Sequence, residues 1–107
     1  MATIDLNNDK FEISKAFKKD MKNFKHDNRV KNELSVVLDM LINDKEIPDK
    51  YKQHPLTGDM KGYFDIHVLP DVILIYGFSD GKVQLGRIGN HAKLKLTEQI
   101  IRLLIRE

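Results

Sequence analysis

The feature that most constrains the fold is the run from Val72 to Phe78, in which almost every residue is apolar. A strand of that composition is typical of the centre of a sheet, where both faces are buried. Turn signals flank it, with Leu69-Pro70-Asp71 before it and Ser79-Asp80-Gly81 after it. The pattern predicts a β-meander in which Gly86 is a candidate bulge. Its strands are expected at Tyr63 to Val68, Val72 to Phe78 and Val83 to Ile88.

Two amphipathic helices are predicted before the meander. The first runs from Lys15 to about Lys25, after Ser14 as its N-cap, and the second runs from about Arg29 to Ile42. A polar break at residues 26–28 separates them, which indicates an antiparallel α-hairpin. Apolar residues recur at helical spacing along each helix: Phe17, Met21 and Phe24 in the first, then Val30, Leu34, Val37, Leu38 and Leu41.

The remaining segments complete a single α+β domain over residues 1–107. Phe11 to Ile13 is predicted as a short strand, and residues 3–6 as a frayed start or an edge strand. Thr97 is a good N-cap for a last helix, with Glu98 at its positive end. We therefore expect an N-terminal α-hairpin packed on a small antiparallel β-meander sheet, with a C-terminal helix. The helices should cover one sheet face and leave the other open.

Composition excludes several classes of protein. There are no cysteines, so disulfides and thiolate metal sites are ruled out, which fits a reducing cytoplasm. No apolar run is long enough to cross a membrane and no signal-peptide pattern opens the chain, so we expect a cytoplasmic protein. The net charge is +2, with basic residues clustered in residues 15–31 and after residue 82. These clusters permit a polyanionic partner, although solvated helix faces would explain them equally well.

Three of the four histidines lie between residues 54 and 91. Alternation along the first meander strand places His67 on its less apolar face. His54, Asp71 and His91 fall at strand ends or in loops, where functional groups tend to gather. Each histidine alone is better explained as an ordinary surface or turn residue, so spacing by itself is a weak signal.

These residues together would suit general acid–base chemistry at neutral pH. In RNA cleavage, a base takes the proton of the 2′-hydroxyl and an acid protonates the leaving 5′-oxygen. A cation stabilises the charge at phosphorus, and no metal is required. Arg87 could add that positive charge, provided that a bulge at Gly86 aims it outward.

Other chemistries have less support. Three histidines and one aspartate could satisfy zinc, but the chain has neither an HExxH motif nor a short paired spacing. It also lacks a P-loop and a nucleophile elbow, so nothing favours nucleotide hydrolysis or serine hydrolase chemistry.

The stretch YKQHPLTGDMKGYFDIHVLPDVILIY, followed by GRIGNHAKL, resembles the YafQ-like branch of the RelE/ParE toxin superfamily. The elements His-Pro-Leu-x-Gly, Lys-Gly-x-x-Asp-x-His-Val, Pro-Asp and Gly-x-His-Ala occur in order between Tyr51 and Leu94. Their combination is specific for this family of bacterial type II toxin–antitoxin toxins. The resemblance implies a microbial-ribonuclease-like fold and a ribosome-associated mRNA endonuclease that uses no metal or small-molecule cofactor. It also implies inhibition by a cognate antitoxin.

The resemblance also implies a set of site residues. The catalytic positions of the family fall on His54, His67, Asp71, Arg87 and His91. We expect His91 to act as general acid and Asp71 as base. His54 and His67 would orient the phosphate or share the proton transfer, but the sequence does not order these roles.

Supporting residues and departures follow from the same comparison of motifs. Asp65 is expected to contact the catalytic side chains and orient them without touching the substrate. Four lysines are candidates for contact with RNA: Lys52, Lys61, Lys93 and Lys95. Relatives place tryptophan where this chain has Val72, and phenylalanine where it has Lys95. Because a stacked aromatic is worth roughly 1–3 kcal/mol per base, these departures bear on codon preference.

A second hypothesis is a non-catalytic binding module of the same fold, which would block a target such as a topoisomerase or serve only as an antitoxin partner. The histidine set discriminates between the two, since a pure binder has no need of it. In either case, we expect an acidic partner that places a helix or an extended segment over the basic surfaces.

Overall fold

The computed structural model describes residues 8–90. Several predictions lie outside these residues: the edge segment at residues 3–6, His91, Lys93, Lys95 and the helix after Thr97. The described part contains two α-helices and five strands, joined by short 3₁₀ turns. Neither of these helices is long and apolar enough to cross a membrane.

The strands form one sheet. They are β1 (Phe11–Ile13), β2 (His54–Pro55), β3 (Tyr63–Leu69), β4 (Val72–Ser79) and β5 (Lys82–Asn90). Their order across the sheet is β1-β5-β4-β3-β2, so β3, β4 and β5 form the predicted meander. β1 pairs parallel with β5, whereas β2 pairs antiparallel with β3. The α+β fold is confirmed, but the sheet is mixed because of β1, and β2 adds a strand that the sequence predicted only as extended backbone.

The predicted bulge is confirmed. Ile75 on β4 faces Arg87 on β5, whereas the next residue of β4, Tyr76, faces Leu85. Gly86 is therefore the extra residue on β5. The bulge shifts the alternation of side chains along the strand, which places Arg87 on the same sheet face as Ile75.

The helices form the predicted α-hairpin. α1 (Lys15–Met21) continues as a 3₁₀ turn (Lys22–Phe24), so the first helix has about its expected extent but a tighter end. α2 (Asn28–Ile42) begins after Asp27, whose Oδ1 accepts the N–H of Val30 at 3.2 Å. The buried side of α2 is the predicted apolar stripe: Val30, Leu34, Val37, Leu38 and Leu41.

The two sheet faces differ in how they are covered. The main core lies between the helices and the face of the sheet that carries Ile66, Leu74 and Leu85. The opposite face carries a smaller buried cluster of Met60, Ile73 and Ile75, which contains no residue of α1 or α2. We call this second surface the helix-free face.

A buried ion pair joins the helices to the sheet. Asp20 on α1 accepts hydrogen bonds from Nε and Nη2 of Arg87 at 2.6 Å and 2.9 Å, and from the N–H of Ile88 at 3.0 Å. Asp20 and Arg87 are only 4% and 8% exposed. β1 pairs with β5 only as far as Leu85. Beyond that residue, the carboxylate of Asp20 bonds the edge of β5 in place of a neighbouring strand.

Ser14 fixes the junction between β1 and α1. Its Oγ accepts the N–H of Phe17 at 2.9 Å, which caps α1, and donates to the carbonyl of Gly86 at 2.7 Å. Its backbone N–H donates to the carbonyl of Leu85 at 3.1 Å. The start of α1 is therefore tied to the bulge of β5.

We expect Asp20→Ala to lower the free energy of unfolding by about 3–5 kcal/mol, because it leaves the buried charge of Arg87 without a partner. Urea denaturation followed by circular dichroism measures this. Asp39→Ala is the matched control, since Asp39 pairs with Lys45 at 3.1 Å and both side chains are more than half exposed. The control should lose about 1 kcal/mol or less. Equal losses in the two variants would contradict the prediction.

Tyr51 should make the free energy of unfolding depend on pH in the alkaline range. Its buried hydroxyl donates a hydrogen bond to Glu33 on α2, and burial followed by this bond raises the pKa of Tyr51 to about 12. Since an unfolded tyrosine has a pKa of about 10, the contribution of Tyr51 to stability is complete below pH 10 and is lost as the pH rises towards 12. Denaturation at several pH values should show Tyr51→Phe about 1 kcal/mol less stable at pH 8. The difference should shrink above pH 10, and a constant difference would refute this.

Candidate active site

The register of the strands places four residues in one row on the helix-free face. His54 faces Asp65, Asp65 faces Ile75, and Ile75 faces Arg87. Directly facing residues have Cβ atoms about 4.5–5.5 Å apart. Three of the residues that the sequence singled out therefore lie in a line across four strands.

His54 and Asp65 contact each other at one end of this row. Nδ1 of His54 lies 3.5 Å from Oδ1 of Asp65. The histidine is 65% exposed, whereas the carboxylate is 27% exposed. Oδ1 of Asp65 is buried and accepts no hydrogen bond in the described part of the chain. The two atoms approach each other without a hydrogen bond, so Oδ1 of Asp65 can accept one from the imidazole.

The segment before His54 is held by its neighbours. Tyr51 bonds Glu33, and Nε2 of Gln53 donates a hydrogen bond to the hydroxyl of Tyr76 in the sheet. Lys52 between them has a left-handed backbone with a φ of 48°. These contacts fix where β2 begins and so where the imidazole of His54 stands.

His67 and Asp71 lie farther along the same strand and its turn. His67 is half-buried, faces Ile73, and shares a sheet face with Asp65 because the two are separated by one residue of β3. Asp71 is exposed in the turn between β3 and β4. Its Oδ1 lies 3.9 Å from Nη2 of Arg29, which is also exposed.

The cations of the site differ from those that the sequence indicated. Arg87 belongs to the row, but its guanidinium is buried against Asp20 rather than aimed outward. Arg29, in the first turn of α2, is instead the cation beside Asp71. Neither pairing could be predicted from local patterns, because the partners are far apart in the chain.

The other predicted contacts divide into two groups. Lys52 and Lys61 are exposed on the segments before β2 and β3. Val72, at the position where relatives have tryptophan, is buried in the main core. His91, Lys93 and Lys95 lie outside the described residues.

A cavity of about 340 Å³ opens beside Asp71. It lies between the connection of α1 to α2 on one side and the start of β4 and the end of β5 on the other. Its walls are partly polar and partly apolar, and they include Asn23, Phe24, Asp27, Arg29, Asp71, Val72, Ile88 and Asn90. The sequence did not indicate it, since its walls come from three separate parts of the chain. We call it the turn cavity.

Metal binding has little support in the described residues. Between residues 8 and 90, no three His, Asp or Glu side chains are grouped so that they could hold a metal ion. Imidazole, carboxylate and guanidinium groups are the polar groups that the described site offers.

Comparisons with known proteins agree with the resemblance seen in the sequence. Residues 9–96 match the family model of YafQ, a bacterial toxin of type II toxin-antitoxin systems. The mRNA interferase toxin YafQ of Escherichia coli K12 is 42% identical over 84 residues, which cover 78% of this chain and 91% of that protein.

Solved structures give the same result. The crystal structure of YafQ from E. coli BL21(DE3) has a TM-score of 0.70 at 40% identity, covering 78% of this chain and 94% of that one. The E. coli DinJ-YafQ complex gives 0.69 at 41% identity, with the same coverage. The YoeB-YefM complex from Staphylococcus aureus is 16% identical with a TM-score of 0.66 over 76% of this chain and 94% of that one, and shows the fold alone. The chain belongs to the YafQ family of bacterial type II toxin–antitoxin toxins.

Proposed function

We propose that this chain is an mRNA interferase, a toxin that cuts mRNA as an endoribonuclease by acid–base chemistry without a metal. The relative from E. coli carries that name and is similar over most of both chains. The observation that carries the proposal is the histidine with a carboxylate behind it, His54 and Asp65, on the helix-free face. His67 lies on the same face, and Asp71 follows in the next turn.

His54 is the proposed base. If its ring proton sits on Nδ1, towards the unsatisfied Oδ1 of Asp65, then Nε2 keeps a lone pair that can accept a proton. Nε2 would take the proton of the 2′-hydroxyl, whose oxygen bonds to phosphorus as the bond from phosphorus to the 5′-oxygen breaks. The products are a 2′,3′-cyclic phosphate and a 5′-hydroxyl, which receives its proton from the acid.

This assignment differs from the one that the sequence favoured, in which Asp71 was the base. Asp71 faces the guanidinium of Arg29 at 3.9 Å, and that cation competes with a substrate hydroxyl for the carboxylate. Asp65, in contrast, faces an imidazole. His91 remains the proposed acid from its place in the motif.

Arg29 is the proposed partner of the phosphate. The charge of Arg87 is already balanced by the carboxylate of Asp20, to which it donates two hydrogen bonds, and its side chain is buried. Arg29 is exposed beside Asp71, so its guanidinium can turn towards a phosphate as negative charge develops at phosphorus. Lys52 and Lys61 would add weaker, exposed contacts to the RNA backbone.

The proposed partners follow from the family. DinJ is in complex with YafQ in a similar structure, and we propose that a cognate antitoxin binds this chain in the same role. Messenger RNA, presented on the ribosome in the cytoplasm, is the proposed substrate. A net charge of +2 and exposed lysines near the site fit both an acidic antitoxin and RNA.

The function is tested by mapping new RNA 5′ ends by primer extension on total RNA after brief induction. The wild type should give cuts at defined positions within translated codons. His54→Gln and Asp65→Asn should each reduce cutting about 100-fold or more. Because the two side chains act as one unit, the double variant should lose little more than either single variant.

His26→Gln is the matched control, since His26 is exposed and lies outside the row. It should cut like the wild type. Circular dichroism confirms that each variant is folded. Growth arrest without cuts in the wild type would contradict the proposal and favour the binding module, for which DNA supercoiling is the next assay. A double variant that loses the product of the two single effects would show that Asp65 does not act through His54.

The role of Arg29 is tested separately. Arg29→Gln should lower the cleavage rate about 100-fold, since it removes a donor to the charged phosphate. Unfolding should be unchanged within about 0.5 kcal/mol because the side chain is exposed. Arg29→Lys should restore part of the rate, as it keeps the charge without the planar fork. Cleavage by Arg29→Gln at the wild-type rate would show that another group holds the phosphate.

A further inference from the structure

The turn cavity has no part in the proton transfers proposed above. We propose that it binds the base of a nucleotide next to the cleaved bond and selects bases that carry an exocyclic amino group. This inference rests on the proposed ribonuclease function of the same site and names how that site would read its substrate.

The size and place of the cavity fit one base. Its volume of about 340 Å³ is at the small end of the range for small-molecule sites, which is about 300–1,000 Å³. Asp71 and Arg29 belong both to the wall of the cavity and to the proposed phosphate site. A phosphate held by Arg29 would therefore lie at the wall of the cavity, within reach of a base inside it.

The apolar part of the wall offers a surface for stacking. Phe24 lies in the 3₁₀ turn after α1, is half-buried, and packs against the main core. Val72 and Ile88 add aliphatic surface from the sheet. Bases of single-stranded RNA are commonly splayed out of their stack and received by such aromatic side chains.

The polar part of the wall carries a fixed acceptor. Oδ1 of Asp27 accepts the N–H of Val30 at 3.2 Å, which holds the carboxylate at the start of α2. An ionised carboxylate only accepts hydrogen bonds, so it pairs with the amino groups of adenine, cytosine or guanine. Uracil offers the carboxylate only its N3–H, which lies between the two acceptors O2 and O4. These oxygens repel a carboxylate that approaches the same edge, so the contact is weaker than one with an amino group.

The amides in the wall extend this recognition. Asn23 lies in the same turn as Phe24, and Asn90 ends β5 on the other side of the cavity. Each amide has a donor and an acceptor, and can therefore meet the edge of a base whichever way it is turned. The discrimination against uracil is therefore assigned to Asp27 rather than to the amides.

The test maps all RNA 5′ ends by sequencing after brief induction and counts the base at each position beside the cuts. The wild type should avoid uridine about tenfold at one such position, the effect expected from one pair of base hydrogen bonds. Asp27→Asn keeps the helix cap, because asparagine caps as well as aspartate, but it adds a donor. It should reduce the avoidance to about twofold while cutting continues. Phe24→Leu, which removes the aromatic face and keeps an apolar side chain, should weaken the avoidance as well.

Asp39→Asn is the matched control, an exposed aspartate near the other end of α2, and should keep the wild-type preference. Unchanged preference in both cavity variants would overturn the inference, as would an equal change in the control. Cuts without any avoidance of uridine in the wild type would also overturn it and leave the proposed function standing. If the wild type made no cuts, the proposed function would fail and the inference with it.

Discussion

The rest of the structure depends on the hydrogen bonds that the carboxylate of Asp20 accepts from β5. The carboxylate takes three hydrogen bonds from two consecutive residues of β5 and closes the edge that β1 leaves open. In doing so, it fixes α1 over the strand that carries the bulge at Gly86. It also neutralises Arg87, so the positive charge in the row across the sheet serves the fold. In the proposed mechanism the cation is therefore Arg29, which lies beside Asp71 at the start of α2.

The carboxylates of Asp20 and Asp65 differ in how their oxygens are hydrogen-bonded. Asp20 has donors on both oxygens, whereas Oδ1 of Asp65 has no hydrogen bond among the described residues. An unsatisfied buried acceptor costs about 1–3 kcal/mol of stability. Such a cost is typical of a functional site, where a local rule is broken for a purpose. In the proposed mechanism this purpose is the contact with His54, whose imidazole would donate to Asp65 on one side and accept from a substrate on the other.

Most of the fold could be predicted from local patterns in the sequence. The meander, the α-hairpin, the Ser14 cap and the Gly86 bulge all follow from residues close together in the chain, and the structure has them. β2 was missed as a strand because two residues show no alternation. The pairings of Asp20 with Arg87 and of Arg29 with Asp71 join residues more than 40 positions apart, and no periodicity reports such contacts. The turn cavity could not be predicted from the sequence for the same reason, because its walls come from separate parts of the chain.

The contacts between residues near the start of the chain and β5 also affect when the protein can fold. The contacts of Ser14 with Gly86 and of Asp20 with Arg87 span 72 and 67 residues. A ribosome adds about 5–20 residues per second, so α1 waits for several seconds before its partner strand has been made. Contacts of such long range are also slow to form once both segments are free. The row on the helix-free face is therefore completed only when β5 joins the sheet, late in synthesis.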